Sequence, residues 1–141
     1  VDDTCLATGE LLAVKDTPFD FNKRKRIGQD LEADHIQLKN AFGYDHSFVL
    51  NGTENQLTLE EPVSGRRLII STTAPVVQVY TGNFLKDGCI GKAGRVYENR
   101  EGVALETQLM PNAINTEENP STILRKGDKF ESNTKYVFEI M

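Results

Sequence analysis

Arg66-Arg67-Leu68-Ile69-Ile70-Ser71-Thr72-Thr73, then Ala74-Pro75, then Val76-Val77-Gln78-Val79-Tyr80-Thr81 is the stretch that decides the fold class. Both runs are dense in β-branched and aromatic residues, which suit a pleated, half-buried surface. Pro75 interrupts between them, and Pro62-Val63-Ser64-Gly65 punctuates before the first. Turn chemistry at both boundaries makes these two strands.

Working outward, the same pattern repeats. Gln56-Leu57-Thr58-Leu59-Glu60 alternates polar and apolar residues, as a half-buried strand does. Ser47-Phe48-Val49-Leu50 precedes Asn51-Gly52, the dipeptide most favourable to a tight hairpin. Val103 to Leu109 is a further strand, and Lys135-Tyr136-Val137-Phe138-Glu139-Ile140 closes the chain with clean alternation. Between Gly82 and Gly94 the glycines at 82, 88, 91 and 94 mark a long irregular loop. Helix signals are thin: Leu31, Ile36 and Leu38 among charged neighbours allow one short helix within residues 29–41. No repeat, low-complexity segment or linker stands out. The expectation is one all-β domain with little helix.

Composition narrows the function classes. The chain has 141 residues, with 16 Lys+Arg against 21 Asp+Glu and a formal charge of −5. A general nucleic-acid binder needs a basic face to replace released counterions, so that class is disfavoured. No apolar run approaches the roughly 20 residues that span a bilayer. The basic cluster Asn22-Lys23-Arg24-Lys25-Arg26 either contacts a polyanion or is a solvated loop balancing nearby Asp residues; it lacks interleaved aromatics to stack on bases. Cys5 and Cys89 have no metal-ligand spacing, leaving one disulfide or two reduced thiols. Asn51-Gly52-Thr53 is a glycosylation sequon, a triplet frequent by chance. The chain opens Val1-Asp2-Asp3-Thr4 without an initiator Met, as expected of a piece of something longer.

Side-chain parity sorts the candidate site residues. On the 103–109 strand, Ala104, Glu106 and Gln108 share a face opposite Val103, Leu105, Thr107 and Leu109. Glu106 is a carboxylate at the centre of a strand, disfavoured by propensity and costly if buried alone; its face is either functional or simply solvated. Val76, Gln78 and Tyr80 share a face, so an amide neighbours an aromatic ring, a mix that suits sugar hydroxyls and C–H bonds. In Phe42-Gly43-Tyr44-Asp45-His46-Ser47-Phe48 an extended backbone sends Asp45 and His46 to opposite faces. Such an Asp–His pair is often only a turn or cap. His35, in a charged stretch, reads as exposed or capping.

Phe42-Gly43-Tyr44-Asp45-His46-Ser47-Phe48-Val49-Leu50 resembles the Gly-Tyr-Asp-His segment of the aldose 1-epimerase (galactose mutarotase) family. In order along the chain, Pro62-Val63-Ser64-Gly65-Arg66, Thr72-Thr73-Ala74-Pro75, Gln78-Val79-Tyr80-Thr81-Gly82-Asn83-Phe84-Leu85 and Gly91-Lys92 resemble later family segments. Leu105-Glu106-Thr107-Gln108, Pro111-Asn112-Ala113-Ile114-Asn115, Pro120-Ser121 and Tyr136-Val137-Phe138 complete the set. The opening Val1-Asp2-Asp3-Thr4 and Thr17-Pro18-Phe19-Asp20-Phe21 are also similar.

The resemblance implies part of a large antiparallel β-sandwich of the galactose mutarotase-like kind, with residues 1–141 as the C-terminal portion of one domain. It implies an enzyme that interconverts the α and β anomers of free hexoses such as galactose and glucose, with no cofactor and no metal. By matching motif, Glu106 is the general base, while Asp45 and Gln78 contact the sugar. The family's general-acid histidine and its second pocket histidine are expected upstream of Val1, and neither His35 nor His46 sits in their motifs. The isolated chain is therefore expected to be inactive. Its expected partners are a free hexose and the N-terminal portion of the same fold, with no nucleic acid and no membrane. Cysteine usage favours a cytoplasmic setting. The rival class is a mutarotase-like module that binds carbohydrate without turning it over. A hexose-6-phosphate enzyme using Arg24, Lys25 and Arg26 fits less well, because the motifs follow the free-sugar branch.

Overall fold

A computed structural model describes residues 1–85, 90–116 and 122–141. Along the chain lie a 3-10 turn at Ile27–Gln29, helix α1 at Ile36–Ala41, then strands β1 (Asp45–Val49), β2 (Leu57–Glu61), β3 (Arg66–Thr72), β4 (Val76–Tyr80) and β5 (Ala104–Gln108). A second 3-10 turn at Ala113–Asn115 and strand β6 (Thr134–Ile140) complete the order. Every strand expected from sequence is present within a few residues of its expected limits. The all-β expectation holds, with two three-stranded sheets ordered β1-β4-β5 and β2-β3-β6.

The hairpin expected at Asn51-Gly52 does not form, because β1 and β2 belong to different sheets. Local hydrogen bonds explain why. Leu50 N donates to Pro75 O at 3.0 Å, keeping the end of β1 beside the start of β4. Gln56 then grips Thr72 twice, its Nε2 donating to Thr72 O at 3.1 Å and its Oε1 accepting from Thr72 N at 2.7 Å. That clamp sets β2 against β3 instead, and the tight hairpin sits at Pro62-Val63-Ser64-Gly65. There Gly65 takes a φ of +73°, and the Glu61 carboxylate accepts from the amides of Val63 and Ser64 at 2.9 and 2.6 Å.

The chain divides into two compact units, Val1–His46 with Gln78–Leu105, and Ser47–Val77 with Glu106–Met141. In the first, the core is aromatic. Tyr44 is fully buried, its ring meeting Phe19 and Phe21 edge-on at 5.3 Å each. The buried Leu38 and Ala41 come from α1. His35 caps that helix by accepting from Gln37 N, and Phe42 ends it in the left-handed region. Lys25 is absorbed structurally: its Nζ donates to Pro18 O at 2.6 Å, pairs with Asp30 at 2.8 Å and lies 4.5 Å from the Phe21 ring centre. This lysine of the basic cluster is thus part of the fold. Cys5 donates its thiol to Asn40 O, whereas Cys89, and with it any disulfide, lies outside the described residues.

In the second unit β3 is the central strand, paired antiparallel with β2 from Leu57↔Ile70 to Glu61↔Arg66 and with β6 from Arg66↔Ile140 to Thr72↔Thr134. This register gathers Leu59, Leu68, Ile70, Tyr136 and Phe138 on one face. On the other, Arg67 reaches Glu60 at 2.8 Å and Glu139 at 3.5 Å, spanning all three strands. No helix among the described residues is long and apolar enough to cross a membrane.

Candidate active site

Asp45 and Gln78 meet. The Gln78 Nε2 donates to Asp45 Oδ1 at 2.7 Å, joining the first residue of β1 to the centre of β4. Both side chains are half-buried. An amide given to a carboxylate oxygen is a charge-assisted bond, stronger and more orienting than a neutral one. Tyr80, two residues beyond Gln78, accepts from Phe84 N through its hydroxyl at 2.9 Å.

The backbone that carries Asp45 is held on both sides. Before it, Tyr44 N donates to Thr81 Oγ1, and Tyr44 O accepts from Thr81 N and from Asn83 Nδ2. Asn83 is buried and also donates to Ala41 O at 2.8 Å while accepting from Thr81 Oγ1 at 2.7 Å. The Tyr44 hydroxyl donates to Pro18 O at 2.8 Å, and burial, with a smaller contribution from Asp30, pushes its pKa up to about 12. After Asp45 comes His46, buried and set edge-on against Phe19 with ring centres 4.7 Å apart. Its Nδ1 accepts from Asp45 N at 3.0 Å.

Glu106, at the centre of β5, is exposed, and among the described residues no hydrogen bond or ion pair holds its carboxylate. The next residue fixes the strand's orientation. Thr107 Oγ1 lies 2.9 Å from Thr134 Oγ1, which lies 2.9 Å from Thr72 Oγ1. This run of hydroxyls anchors one face of β5, and alternation turns Glu106 to the opposite one. Among the described residues no three His, Cys, Asp or Glu side chains gather as a metal site requires.

Two supports escaped sequence reading. His46, legible only as a turn or cap, is a buried contact of Asp45. Thr81 and Asn83 bond to Tyr44 across nearly forty residues, a distance no local pattern bridges. The only trace of this contact in the sequence is the glycine at position 43; in the structure Gly43 takes a φ of +140°, and a Cβ there would lie 2.4 Å from Asn83 Oδ1. Of the resembling motifs, Pro120-Ser121 lies outside the described residues.

Known proteins resemble the chain in sequence and in fold. The family model described as aldose 1-epimerase matches residues 1–137. Galactose mutarotase of Homo sapiens is 38% identical over 143 residues, covering 99% of this chain and 40% of that protein. Aldose 1-epimerase of Escherichia coli is 34% identical over 144 residues, covering 98% and 41%. Among solved structures, an aldose epimerase homologue from C. elegans superposes with a TM-score of 0.83 at 29% identity, covering 99% of this chain and 42% of the other. Galactose 1-epimerase from Lactobacillus acidophilus gives 0.75 at 31% identity, covering 99% and 40%. The chain therefore spans about two fifths of the length of the relatives it matches. Matched over nearly all its own residues by the family's model, it belongs to the aldose 1-epimerase family.

Proposed function

We propose that this chain carries the base and part of the sugar pocket of a mutarotase acting on free hexoses such as galactose and glucose. In this reading Glu106 removes the proton from the anomeric hydroxyl while an acid protonates the ring oxygen. The C1–O5 bond breaks, the open aldehyde rotates about C1–C2, and closure on the other carbonyl face inverts the anomeric centre. Asp45 accepts hydrogen bonds from sugar hydroxyls, and Gln78 holds Asp45 and contacts the same sugar. The acid comes from the remainder of the fold, expected to precede Val1, and a cytoplasmic setting suits the cysteine usage.

The observation that carries this reading is the Gln78–Asp45 bond of 2.7 Å in a chain of this family. A half-buried carboxylate with one oxygen held by an amide is preorganised to accept hydroxyl donors. Glu106, exposed and unpaired among the described residues, is free to take a proton. Base catalysis without a positioned acid leaves ring-oxygen protonation to water, which costs about 10²–10⁴ in rate. The isolated chain is accordingly inactive.

Polarimetry of α-D-galactose and α-D-glucose with the full-length protein tests this. Anomerisation above the buffer rate, lost in Glu106→Gln, supports the enzyme. Saturable sugar binding with no acceleration replaces it with a carbohydrate-binding module.

A further inference from the structure

We propose that His46 is a positioning residue for Asp45, its Nδ1 holding the Asp45 amide while its ring is wedged against Phe19. The inference rests on the reading of Asp45 as a sugar-binding carboxylate.

Asp45 is fixed directly by two side chains and indirectly through its neighbour. Gln78 holds the carboxylate, the Thr81–Asn83 pair holds the preceding Tyr44, and His46 holds the amide of Asp45 itself at 3.0 Å. The last closes a small ring through ψ of Asp45 and φ of His46. It therefore fixes the backbone torsions beside the Cα from which the carboxylate projects. The imidazole cannot drift, because it is buried with its ring centre 4.7 Å from that of Phe19.

The chemistry of the ring supports the role. A nitrogen that accepts from an amide carries no hydrogen, so the tautomer has its proton on Nε2. Nε2 is buried and meets no protein partner among the described residues. Within the described chain the polar chemistry of this side chain goes into one bond, the one to Asp45. A leucine or phenylalanine there would avoid stranding an N–H, whose burial is costly. Burial also pushes the imidazole down to about 4, so the ring stays neutral at physiological pH and Nδ1 stays an acceptor.

Steady-state polarimetry on the full-length protein tests the assignment, using three substitutions that separate the two ring nitrogens. Asn places an amide oxygen where Nδ1 stands, Gln reaches the position of Nε2, and Leu keeps neither. For His46→Leu the KM for galactose should rise about tenfold, the worth of one well-placed hydrogen bond, with kcat little changed. His46→Asn should restore KM to near the wild-type value and His46→Gln should not. A merely structural histidine would lower the urea midpoint in all three without this ordering of KM. If His46→Leu fails to fold, the Asn and Gln variants decide the matter between them. Equal KM values for Asn and Gln, or an unchanged KM in Leu, overturn the proposal. A wild-type protein without activity instead overturns the proposed function on which this inference rests, and an unchanged KM in Asp45→Asn overturns the reading of Asp45 and this inference with it.

Discussion

The amide of Gln78 is bonded to the carboxylate of Asp45, 33 residues earlier in the chain, at 2.7 Å. One side chain comes from the centre of β4 and the other from the start of β1, so the strand pairing of this sheet determines whether the carboxylate is oriented. Gln78→Leu keeps the bulk and removes the donor. A hydrogen bond to a charged group is worth about 1.5–3 kcal/mol, and part of that orienting energy is lost from substrate binding. The KM for galactose in the full-length protein should rise about tenfold with kcat changed much less. A fall in kcat at constant KM would mean that Gln78 acts only in the transition state.

Gly43 supports the same region through space it leaves empty. Its φ of +140° disfavours any L-residue, and a Cβ would lie 2.4 Å from the buried Asn83 Oδ1. Asn83 cannot yield without releasing Ala41 O and Tyr44 O. Gly43→Ala should therefore cost about 2–4 kcal/mol in urea unfolding, summing backbone strain and overpacking. Gly52 has a φ of +70° with nothing within 4 Å of its would-be Cβ, so Gly52→Ala reports strain alone, about 1–2 kcal/mol. Equal losses at the two positions would show that Asn83 moves aside.

The strands were legible because alternation and β-branched runs are local signals, and side-chain parity alone placed Glu106 opposite Thr107. Sheet membership was not legible. Asn51-Gly52 has the composition of a hairpin turn, yet Gln56 and Thr72, 16 residues apart, send β2 to another sheet. Long-range side-chain bonds overrode a local propensity there. The support of Asp45 was hidden for the same reason, since Asn83 and Tyr44 are 39 residues apart. His46 was hidden for another: parity gives the face of a side chain but not whether that face is buried or which nitrogen accepts.

Arg67 offers a test of the second sheet. It bonds Glu60 on one neighbouring strand and approaches Glu139 on the other, in direct register with both. Two carboxylates beside one guanidinium, with the arginine side chain 34% exposed, are partly screened by solvent. Arg67→Met should destabilise by about 1 kcal/mol, and a double-mutant cycle with Glu60→Gln should return a coupling energy of similar size. The coupling should shrink at high salt. A salt-independent coupling would mean that the arginine stabilises through its buried stem, not its charge.

His46 also makes stability depend on pH in a definite direction. Burial is the main cause of its lowered pKa, with a smaller contribution from His35; the value falls from 6.5 to about 4. The folded protein therefore resists protonation that the unfolded chain accepts. Above the unfolded value both states are neutral at this residue, and its contribution to stability is fully present. As pH falls from 6.5 toward 4 the unfolded state binds the extra proton, and stability drops by about 1.4 kcal/mol per pH unit. Below the folded value the ring protonates in both states and the slope ends. Urea unfolding of the wild type and of His46→Asn across this range isolates the effect, because the carboxylates and the other histidine are common to both proteins. The wild-type curve should fall more steeply on acidification, with the gap between the two changing at a slope of one proton, about 1.4 kcal/mol per pH unit. Parallel curves would mean that the imidazole is solvated in the folded state, and the neutral acceptor assigned to Nδ1 would lose its physical basis.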